Sequence, residues 1–436
     1  MSAAADRAVT RGEAFRVWVR VALQSFGGPA GQIAVMHRVI VDEKRWLSES
    51  RFLHALSYCM LLPGPEAQQL TTYVGWLLHG VRGGLIAGCL FIAPGFLSIL
   101  ALSILYAGFR DVGLVEGLFF GLKPAVMAVV FEAVVRLKRR ALTEKESVVV
   151  AGAAFVAIFF FGVPFPLIVV AAALTGLLVL RARELPRADR ALDSVPRPSL
   201  GSAARTLVLW LAIWLVPLGA LFVVLGPEQV FVQEGVFFSK VAVVTFGGAY
   251  AVLTYVAQQA VDAFQWLGPG EMLDGLGMAE TTPGPLIQVV QFVGFLGAYR
   301  HAGGLDPMTA GIIGSIVTTW ATFAPCFLFI FVGAPFVEHL RENRALSAAL
   351  RGITAAVVGV VLNLAVWFAL HTLFGEVGSF ELGFTQLLIP DPATLDWSAV
   401  TIAGGAMLAM FRYKAGMMPT LGGAALMGVI VHSIFP

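Results

Sequence analysis

Four short motifs interrupt apolar sequence and could create a binding site: Phe-Gly-Gly at 26–28 and 246–248, and Pro-Gly-Pro at 63–65 and 283–285. Proline has no amide donor and clashes with the preceding turn, so it breaks a helix interior at a cost of about 3 kcal/mol. Proline is favoured in the first turn of a helix, however, so Pro29 and Pro65 are expected to begin new helices. A helix start presents unpaired N–H groups and about half a positive charge, which together favour an anion.

The lengths of the flanking arms predict the depth of these breaks. The arm 52–62 is about 16 Å long and the arm 65–80 about 24 Å, at a rise of about 1.5 Å per residue. The first arm is far too short for a bilayer core of about 30 Å, so the break is predicted to lie inside the membrane. Non-helical backbone is tolerated there where it lines a watery cavity or is buried in protein. The alternative, in which the motifs are kinks that let helices pack closely, stays open.

Three basic residues in apolar sequence are candidates for holding an anion. Arg20 and Lys240 each stand seven residues before a glycine of a Phe-Gly-Gly motif, and the alternative for both is that they reach the membrane surface. Lys123 lies about ten residues into an apolar segment, where an ionisable side chain is a functional candidate by default. The alternative for Lys123 is a structural ion pair, with Glu132 or Glu66 as its partner.

Carboxylates and other polar side chains flank the same breaks. Glu66 follows the first Pro-Gly-Pro and Glu280 precedes the second, and each could carry a proton or cap a helix end. Two pairs of residues at matching positions are candidate hydrogen-bond donors to oxyanion oxygens: Gln68 with Gln288, and Ser25 with Thr245.

The predicted substrate site combines the break residues with these side chains. Its members are Arg20, Ser25, Gly27, Gly28, Pro29, Pro63, Gly64, Pro65, Glu66, Gln68, Lys123, Lys240, Thr245, Gly247, Gly248, Glu280, Pro283, Gly284, Pro285 and Gln288. No catalytic residue, metal or cofactor is predicted, because the three cysteines and seven histidines show no ligand spacing. The chain also carries no P-loop, G-x-S-x-G or H-E-x-x-H motif, so we expect no enzyme activity.

The composition places this site in a membrane protein. Of 436 residues, 58% are hydrophobic and 13% are charged, against roughly 25% charged residues in soluble proteins. Apolar stretches of about 15 to 25 residues recur without period-two alternation, so an all-α integral membrane protein is predicted rather than a barrel. A net charge of +2 is too small to indicate a nucleic-acid partner, and the polar N-terminus is not typical of a cleavable signal peptide.

The chain contains an internal duplication. Ser-Phe-Gly-Gly at 25–28 matches Thr-Phe-Gly-Gly at 245–248, and Pro-Gly-Pro at 63–65 matches 283–285, all at an offset of 220 residues. Beyond residue 304 the offset becomes 231, which one insertion of eleven residues explains. Several specific motifs in one register indicate a duplication that covers most of the chain.

The duplication predicts three domains. They are a first repeat at 1–182, a basic cytoplasmic linker with an inverting transmembrane helix at 183–226, and a second repeat at 227–436. One extra span between two repeats turns the second upside down, an architecture that recurs in secondary transporters. With the basic loops in the cytoplasm, the chain has about nine full spans plus four re-entrant hairpins at the breaks, or about thirteen spans if the hairpins cross. We expect a multi-pass protein of the bacterial inner (plasma) membrane.

The segments SFGGPAGQIAVMHR, YCMLLPGPEAQQLTTYVGW, TFGGAYAVL and ETTPGPLIQVVQFVGF resemble the chromate ion transporter family, in its full-length two-repeat bacterial form. The resemblance runs over nearly the whole chain and implies a transporter that exports chromate from the cytoplasm and confers chromate resistance. Chromate and sulfate are tetrahedral dianions of similar size, so a transporter of sulfate or another oxyanion, or an anion channel on the same scaffold, stays an alternative. The lipid bilayer is the other expected partner, and a homodimer is one option for the oligomeric state.

Overall fold

The computed structural model describes residues 9–26, 28–109, 112–179, 200–246, 248–334, 344–382 and 385–434. Gly27 and Gly247 of the predicted site lie outside these residues, as does most of the predicted linker. Helices dominate the described chain, which confirms the all-α class.

Helices follow one another in the same order before and after the long helix that ends at residue 225. The first set is α1 (Arg11–Gln24), α2 (Gly28–His37), α3 (Glu49–Cys59), α4 (Glu66–Phe109), α5 (Gly113–Ala141), α6 (Lys145–Phe161) and α7 (Phe165–Val179), and the long helix is α8 (Leu200–Leu225). The second set is α9 (Val230–Val244), α10 (Ala249–Gln258), α11 (Pro269–Thr281), α12 (Val289–Arg300), α13 (Pro307–Gly333), α14 (Arg344–Leu373), α15 (Trp397–Met407) and α16 (Met417–Ile434).

Local backbone features recur at the offset seen in the sequence. A π-helical turn follows α2 at Arg38–Glu43 and another follows α10 at Gln259–Ala263. Just beyond these turns, Arg45 and Gln265 both have φ of 53°. Side chains rarely adopt this left-handed conformation, so its appearance at two matching positions accords with the duplication. The inverted orientation of the second repeat stays a prediction.

Six of the described helices are long and apolar enough to cross a membrane: α4, α5, α8, α13, α14 and α16. Three other predicted spans correspond to shorter helices, since α6 has 17 residues, α7 has 15 and α15 has 11. The π-helical turn Leu408–Arg412 lengthens α15 at its end. The chain is therefore a multi-pass helical membrane protein, while the full number of crossings stays a prediction.

Short polar side chains fix the starts of several helices. Thr10, Ser48 and Asp396 accept hydrogen bonds from backbone N–H groups in the first turns of α1, α3 and α15. Asp306 does the same for α13, accepting from the N–H of Thr309 at 2.9 Å. This backbone bond, together with one from the Thr309 hydroxyl, lowers the pKa of the exposed Asp306 carboxyl, because both bonds stabilise its charged form.

The helix α4 is two helices joined by a tight turn. His79 and Gly80 leave the helical conformation, with φ of −140° and 62°. A Cβ atom added at Gly84, after the turn, would lie 3.0 Å from the carbonyl oxygen of Thr72 before it. The segment after the first Pro-Gly-Pro therefore folds back on the following helix, and glycine allows their close approach.

A two-stranded hairpin lies in the acidic segment 375–397, which contains no lysine or arginine. The strands β1 (Val377–Leu382) and β2 (Thr385–Pro390) pair antiparallel, with Val377 opposite Pro390. Hydrogen bonds continue past the strands, from Gly375 N–H to Thr394 O at 3.0 Å. These strands were not predicted, because apolar helical segments dominate the sequence.

The chain divides into two compact units. The first comprises described residues of Met1–Leu100, Ala182–Ala249 and Thr282–Ser347, and all four helix breaks fall within it. Its core includes the buried side chains of Trp18 and Phe52 and extends to Ile330 of α13.

The second unit comprises described residues of Ala101–Arg181, Tyr250–Thr281 and Ala348–Pro436. Within it, α14 packs closely against α6 and α7 through glycines. A Cβ atom at Gly352 would overlap the carbonyl oxygen of Ala172. Small residues at such crossings let backbones approach, which strengthens helix packing in a membrane.

We predict that Gly352→Val separates α14 from α7 and lowers the free energy of unfolding by about 1–3 kcal/mol, as overpacking typically does. The measurement is thermal or denaturant unfolding of the purified protein in micelles. Gly152→Val is the matched control, because nothing lies within 4 Å of a Cβ atom at that position. An equal loss in both variants would contradict the packing role of Gly352.

Candidate functional site at the helix breaks

Each motif interrupts the helical chain, as predicted. α1 ends at Gln24 before α2 begins at Gly28, and α3 ends at Cys59 before α4 begins at Glu66. Matching breaks separate α9 from α10 and α11 from α12. Pro65 stands one residue before the new helix rather than inside it, so the predicted start is displaced by one position.

The other prolines and glycines of the motifs occupy the turns and first residues around these breaks. Pro29 lies in the first turn of α2, as predicted. Gly28 and Gly248 have positive φ, 71° and 100°. Pro285 directly precedes a short 3₁₀ turn that leads into α12, while Pro283 O lies 3.0 Å from a Cβ atom added at Gly95.

The central residue of each Pro-Gly-Pro has to be glycine. Gly64 and Gly284 have φ of 120° and 116°, which other residues rarely adopt. A Cβ atom at Gly64 would lie 2.8 Å from Gln69 Nε2 and 3.0 Å from Cys326 Sγ. A Cβ atom at Gly284 would lie 3.0 Å from Gly95 Cα.

Two backbone hydrogen bonds cross between the halves of the chain. Gly64 N–H donates to the carbonyl oxygen of Thr245 at 2.8 Å, and Gly284 N–H donates to that of Ser25 at 2.9 Å. The donors are repeat-related, and so are the acceptors. Each Pro-Gly-Pro therefore rests on the Phe-Gly-Gly loop of the other half, and the first unit brings all four breaks together.

These crossing bonds correct one expectation. The amides of Gly64 and Gly284 are occupied and cannot be bare donors to an anion. The donors that remain are first-turn N–H groups of the helices that start at the breaks, since helix geometry gives these groups no acceptor within their own helix.

The hydroxyl groups of Ser25 and Thr245 are also occupied. Ser25 Oγ donates to Val21 O and Thr245 Oγ1 donates to Val241 O, both at 2.6 Å. The expectation that these hydroxyls donate to an oxyanion is therefore not met in this structure. Their backbone carbonyls instead hold the opposite Pro-Gly-Pro.

Two further glutamines support the turns. Gln32 Nε2 donates to Gly284 O at 2.7 Å, and Gln69 Nε2 donates to Pro63 O at 2.6 Å. Sequence reasoning missed both, because neither has a glutamine at the matching position of the other repeat. Their bonds fix carbonyl groups that the sharp turns would otherwise leave without partners.

Gln68 and Gln288 are buried at matching positions just after the breaks. Gln68 Nε2 donates to Thr72 Oγ1 at 3.1 Å, while Gln288 Nε2 donates to Gln291 Oε1 at 2.6 Å and lies 3.2 Å from Thr319 Oγ1. The side-chain carbonyl oxygen of each has no hydrogen-bond partner among the described residues. Each amide thus keeps a free acceptor oxygen, which water or a ligand that carries a donor could use.

The predicted cations Arg20 and Lys240 differ in their surroundings. Arg20 forms a two-point ion pair with Glu43, with distances of 2.6 and 3.2 Å, and its side chain is 45% exposed. Lys240 is exposed and has no ion pair among the described residues. The guanidinium of Arg20 is thus committed to a carboxylate in this structure.

Lys123 belongs to the second unit and has a different partner from those predicted. Its Nζ lies 3.4 Å from Asp274 Oδ2, which also accepts a 2.8 Å hydrogen bond from the Tyr106 hydroxyl. Glu132, the partner considered from sequence, pairs with Arg136 instead at 2.6 Å. The carboxylate of Asp274 is almost completely buried, so the lysine compensates its charge.

The two predicted carboxylates are in different environments. Glu66 is half-buried in the first turn of α4, which is a favourable position for a negative charge. Glu280 is fully buried near the end of α11 and accepts a short hydrogen bond from the Tyr250 hydroxyl. Its second carboxylate oxygen has no hydrogen-bond partner in the described chain.

The buried acidic residues of α11 carried a signal that sequence reasoning passed over. Glu271 and Asp274 are three residues apart, so they share a helix face, and both are buried. The matching positions of the first repeat hold Arg51 and His54. These positions are basic in the first repeat and acidic in the second, and this change is a sequence signal that the helix face differs between the repeats.

These features define a multi-pass helical membrane protein with interrupted helices and buried polar groups at the breaks. A family model described as chromate transporter matches residues 12–177 and 232–429. The protein belongs to the chromate transporter family.

Two chromate transport proteins are similar to most of the chain, and a shorter protein is similar to part of it. A chromate transport protein of Pseudomonas aeruginosa is 34% identical over 353 residues, covering 80% of this chain and 78% of its own length. One of Cupriavidus metallidurans is 26% identical over 422 residues, covering 96% and 92%. A shorter Bacillus subtilis protein, named uncharacterized transporter YwrA, is 27% identical over 161 residues, which is 36% of this chain and 90% of its own. No solved structure shows significant similarity to the chain.

We predict that Lys123→Met lowers the free energy of unfolding by up to about 3 kcal/mol, because it leaves the buried carboxylate of Asp274 without its counter-charge. Adding Asp274→Asn to that variant should restore much of the loss. The measurement is denaturant unfolding in micelles of the two single variants and the double variant.

Lys145→Met is the control, since Lys145 is exposed at the start of α6 and such substitutions usually change stability by less than about 0.5 kcal/mol. Additive losses in the double variant would show that Lys123 and Asp274 do not stabilise one another.

Proposed function

We propose that this protein is a secondary active transporter that exports chromate, a divalent tetrahedral oxyanion, from the cytoplasm and thereby confers chromate resistance. It is not expected to catalyse a covalent reaction. The names of the Pseudomonas and Cupriavidus relatives, both chromate transport proteins, support the substrate class.

The observation that carries the proposal is the pair of crossing hydrogen bonds at Gly64 and Gly284. They hold each Pro-Gly-Pro against the opposite Phe-Gly-Gly loop in the first unit, and the helices that start at these breaks direct first-turn N–H groups and positive dipole ends toward them. A tetrahedral dianion offers several acceptor oxygens, which suit convergent N–H groups from more than one helix.

Neutral donors are an advantage in a transporter. Gln68 Nε2 has one N–H beyond its bond to Thr72, which can donate to the anion without adding a fixed charge, whereas both N–H groups of Gln288 Nε2 already have acceptors. A permanent cation would hold a dianion tightly, whereas transport needs release on the far side. Lys240 is exposed and unpaired in the described chain, so it remains a candidate for attracting the anion before binding.

The membrane potential supplies a driving force for export. With the cytoplasm negative, each negative charge that leaves gains about 2.3 kcal/mol per 100 mV. The two repeats would move against each other to expose the breaks alternately to each side, as in other transporters built from inverted repeats.

The direct test is uptake of labelled chromate into inverted membrane vesicles that contain the protein. Saturable uptake above that of vesicles without the protein is expected. Excess sulfate should compete, because both anions are tetrahedral dianions of similar size. Absence of chromate uptake would end the substrate assignment, whereas complete loss of signal at low sulfate would make sulfate the better substrate.

A transporter is separated from a channel by counterflow. Vesicles preloaded with unlabelled chromate should transiently accumulate the labelled anion, because a carrier exchanges one for the other. A channel shows no such overshoot. Absence of the overshoot, together with chromate flux that does not saturate, would favour the channel.

We predict that Gly64→Leu abolishes chromate uptake while the protein still reaches the membrane. Leucine strains the backbone at φ of 120° and crowds Gln69 and Cys326, so the hydrogen bond from residue 64 to Thr245 is lost. Uptake and membrane abundance should be measured in the same vesicles.

The matched control is Gly219→Leu. Gly219 lies in α8 of the same unit, and nothing approaches within 4 Å of a Cβ atom there. Normal uptake by Gly64→Leu at equal abundance would remove the role assigned to the break.

A further inference from the structure

Glu234 of α9 is a buried carboxylic acid that the proposed anion site does not use. Its exposed fraction is 0%, and neither of its carboxylate oxygens has a hydrogen-bond partner among the described residues. The residue lies in the first unit, in apolar sequence where a glutamate has no structural necessity. Polar groups in such positions usually serve a function.

Small residues of α12 and α13 lie beside this carboxyl group. A Cβ atom at Gly314 would lie 3.0 Å from Glu234 Oε2 and 2.5 Å from Gly294 O, so the carboxyl is held where these helices meet. The backbone N–H of Ala298 also faces the carboxyl. The hydroxyl groups of Ser315 and Thr318 are buried one turn apart on α13 and lack partners in the described chain.

No counter-charge balances Glu234 in the described part of the first unit. The helix α13 contributes no charged side chain between Pro307 and Gly333. The titratable or charged groups on the helices packed against this region are Arg205 of α8, Lys240 of α9, Tyr299, Arg300 and His301 at the end of α12, and Asp306 and Cys326 of α13 with its cap. None of them forms a described salt bridge with Glu234.

A buried carboxylate that has neither a side-chain donor nor a counter-ion is strongly disfavoured, so the group takes up a proton instead. A protonated carboxyl is a donor and can bond a nearby hydroxyl or carbonyl oxygen. The matching position of the first repeat holds Ala14, which is buried in its own helix contact. Helix packing at this position therefore does not require an acid, which argues against a purely structural role for Glu234.

We infer that Glu234 binds the proton that couples transport to the proton gradient. The carboxyl is protonated while α9 lies against α12 and α13. Separation of these helices admits water, the O–H bond breaks, and the proton leaves to water. The carboxylate must regain a proton before the helices repack. The coupling rests on the proposed transport function, whereas the protonated state in this structure does not.

The protonated state can be tested without any transport assay. Infrared difference spectra between the wild-type protein and Glu234→Gln should be recorded on purified protein near neutral pH. The wild type should show the carbonyl band of a protonated carboxylic acid that the variant lacks. If the difference spectrum shows carboxylate bands in place of the carbonyl band, Glu234 is ionised and the inference is overturned. Glu228→Gln, which removes an exposed glutamate six residues earlier, should give carboxylate bands.

Coupling is tested in proteoliposomes that contain a pH-sensitive dye. A chromate gradient should move protons with the wild type and with Glu228→Gln. Glu234→Gln is nearly isosteric and should still exchange chromate for chromate but should lose proton movement. Unchanged proton movement in this variant, or movement that follows a sodium gradient instead, would overturn the proton site. Failure of the wild type to move any chromate would refute the proposed function and leave the infrared result standing.

Discussion

Hydrocarbon offers no hydrogen bonds, so every backbone group inside the membrane needs a partner within the protein. The crossing bonds from Gly64 and Gly284 provide such partners at the turns of both Pro-Gly-Pro motifs, which the sequence predicts to lie inside the membrane. Gln32 and Gln69 satisfy the adjacent carbonyls, and glycine provides backbone angles that no other residue adopts readily. The site is thus built around satisfied turns, and the N–H groups of helix first turns are what remains for a ligand.

Three buried carboxyl groups differ in the number of side-chain partners that stabilise them. Asp274 has a lysine and a tyrosine hydroxyl, Glu280 has a tyrosine hydroxyl alone, and Glu234 has neither. The support decreases along this series, and a carboxyl with less support is more readily neutralised by a proton. Proton exchange is therefore best sought at Glu234, while Asp274 is better suited to a structural role with Lys123.

The helix breaks could be predicted because their motifs occur in both repeats. Features that occur in only one repeat could not be predicted in this way. Glycine and proline carry their backbone preferences with them, so paired Phe-Gly-Gly and Pro-Gly-Pro motifs indicated interruptions in both halves. Partners across the fold are not encoded locally, so the pairing of Lys123 with Asp274 could not be read from spacing. Glu234 was also not predicted, because its counterpart in the first repeat is Ala14 and the repeat pattern therefore does not mark it. The hairpin β1–β2 was not predicted because its strands are short and lie outside the apolar segments.

The reciprocal bonds also bear on how the protein is made. Gly64 enters the growing chain well before Thr245, whose carbonyl oxygen accepts from it. During synthesis the first turn must rely on water or the insertion machinery until the later half arrives. This contact therefore forms late in synthesis, and a chain that ends before Thr245 would leave the amide of Gly64 without its acceptor.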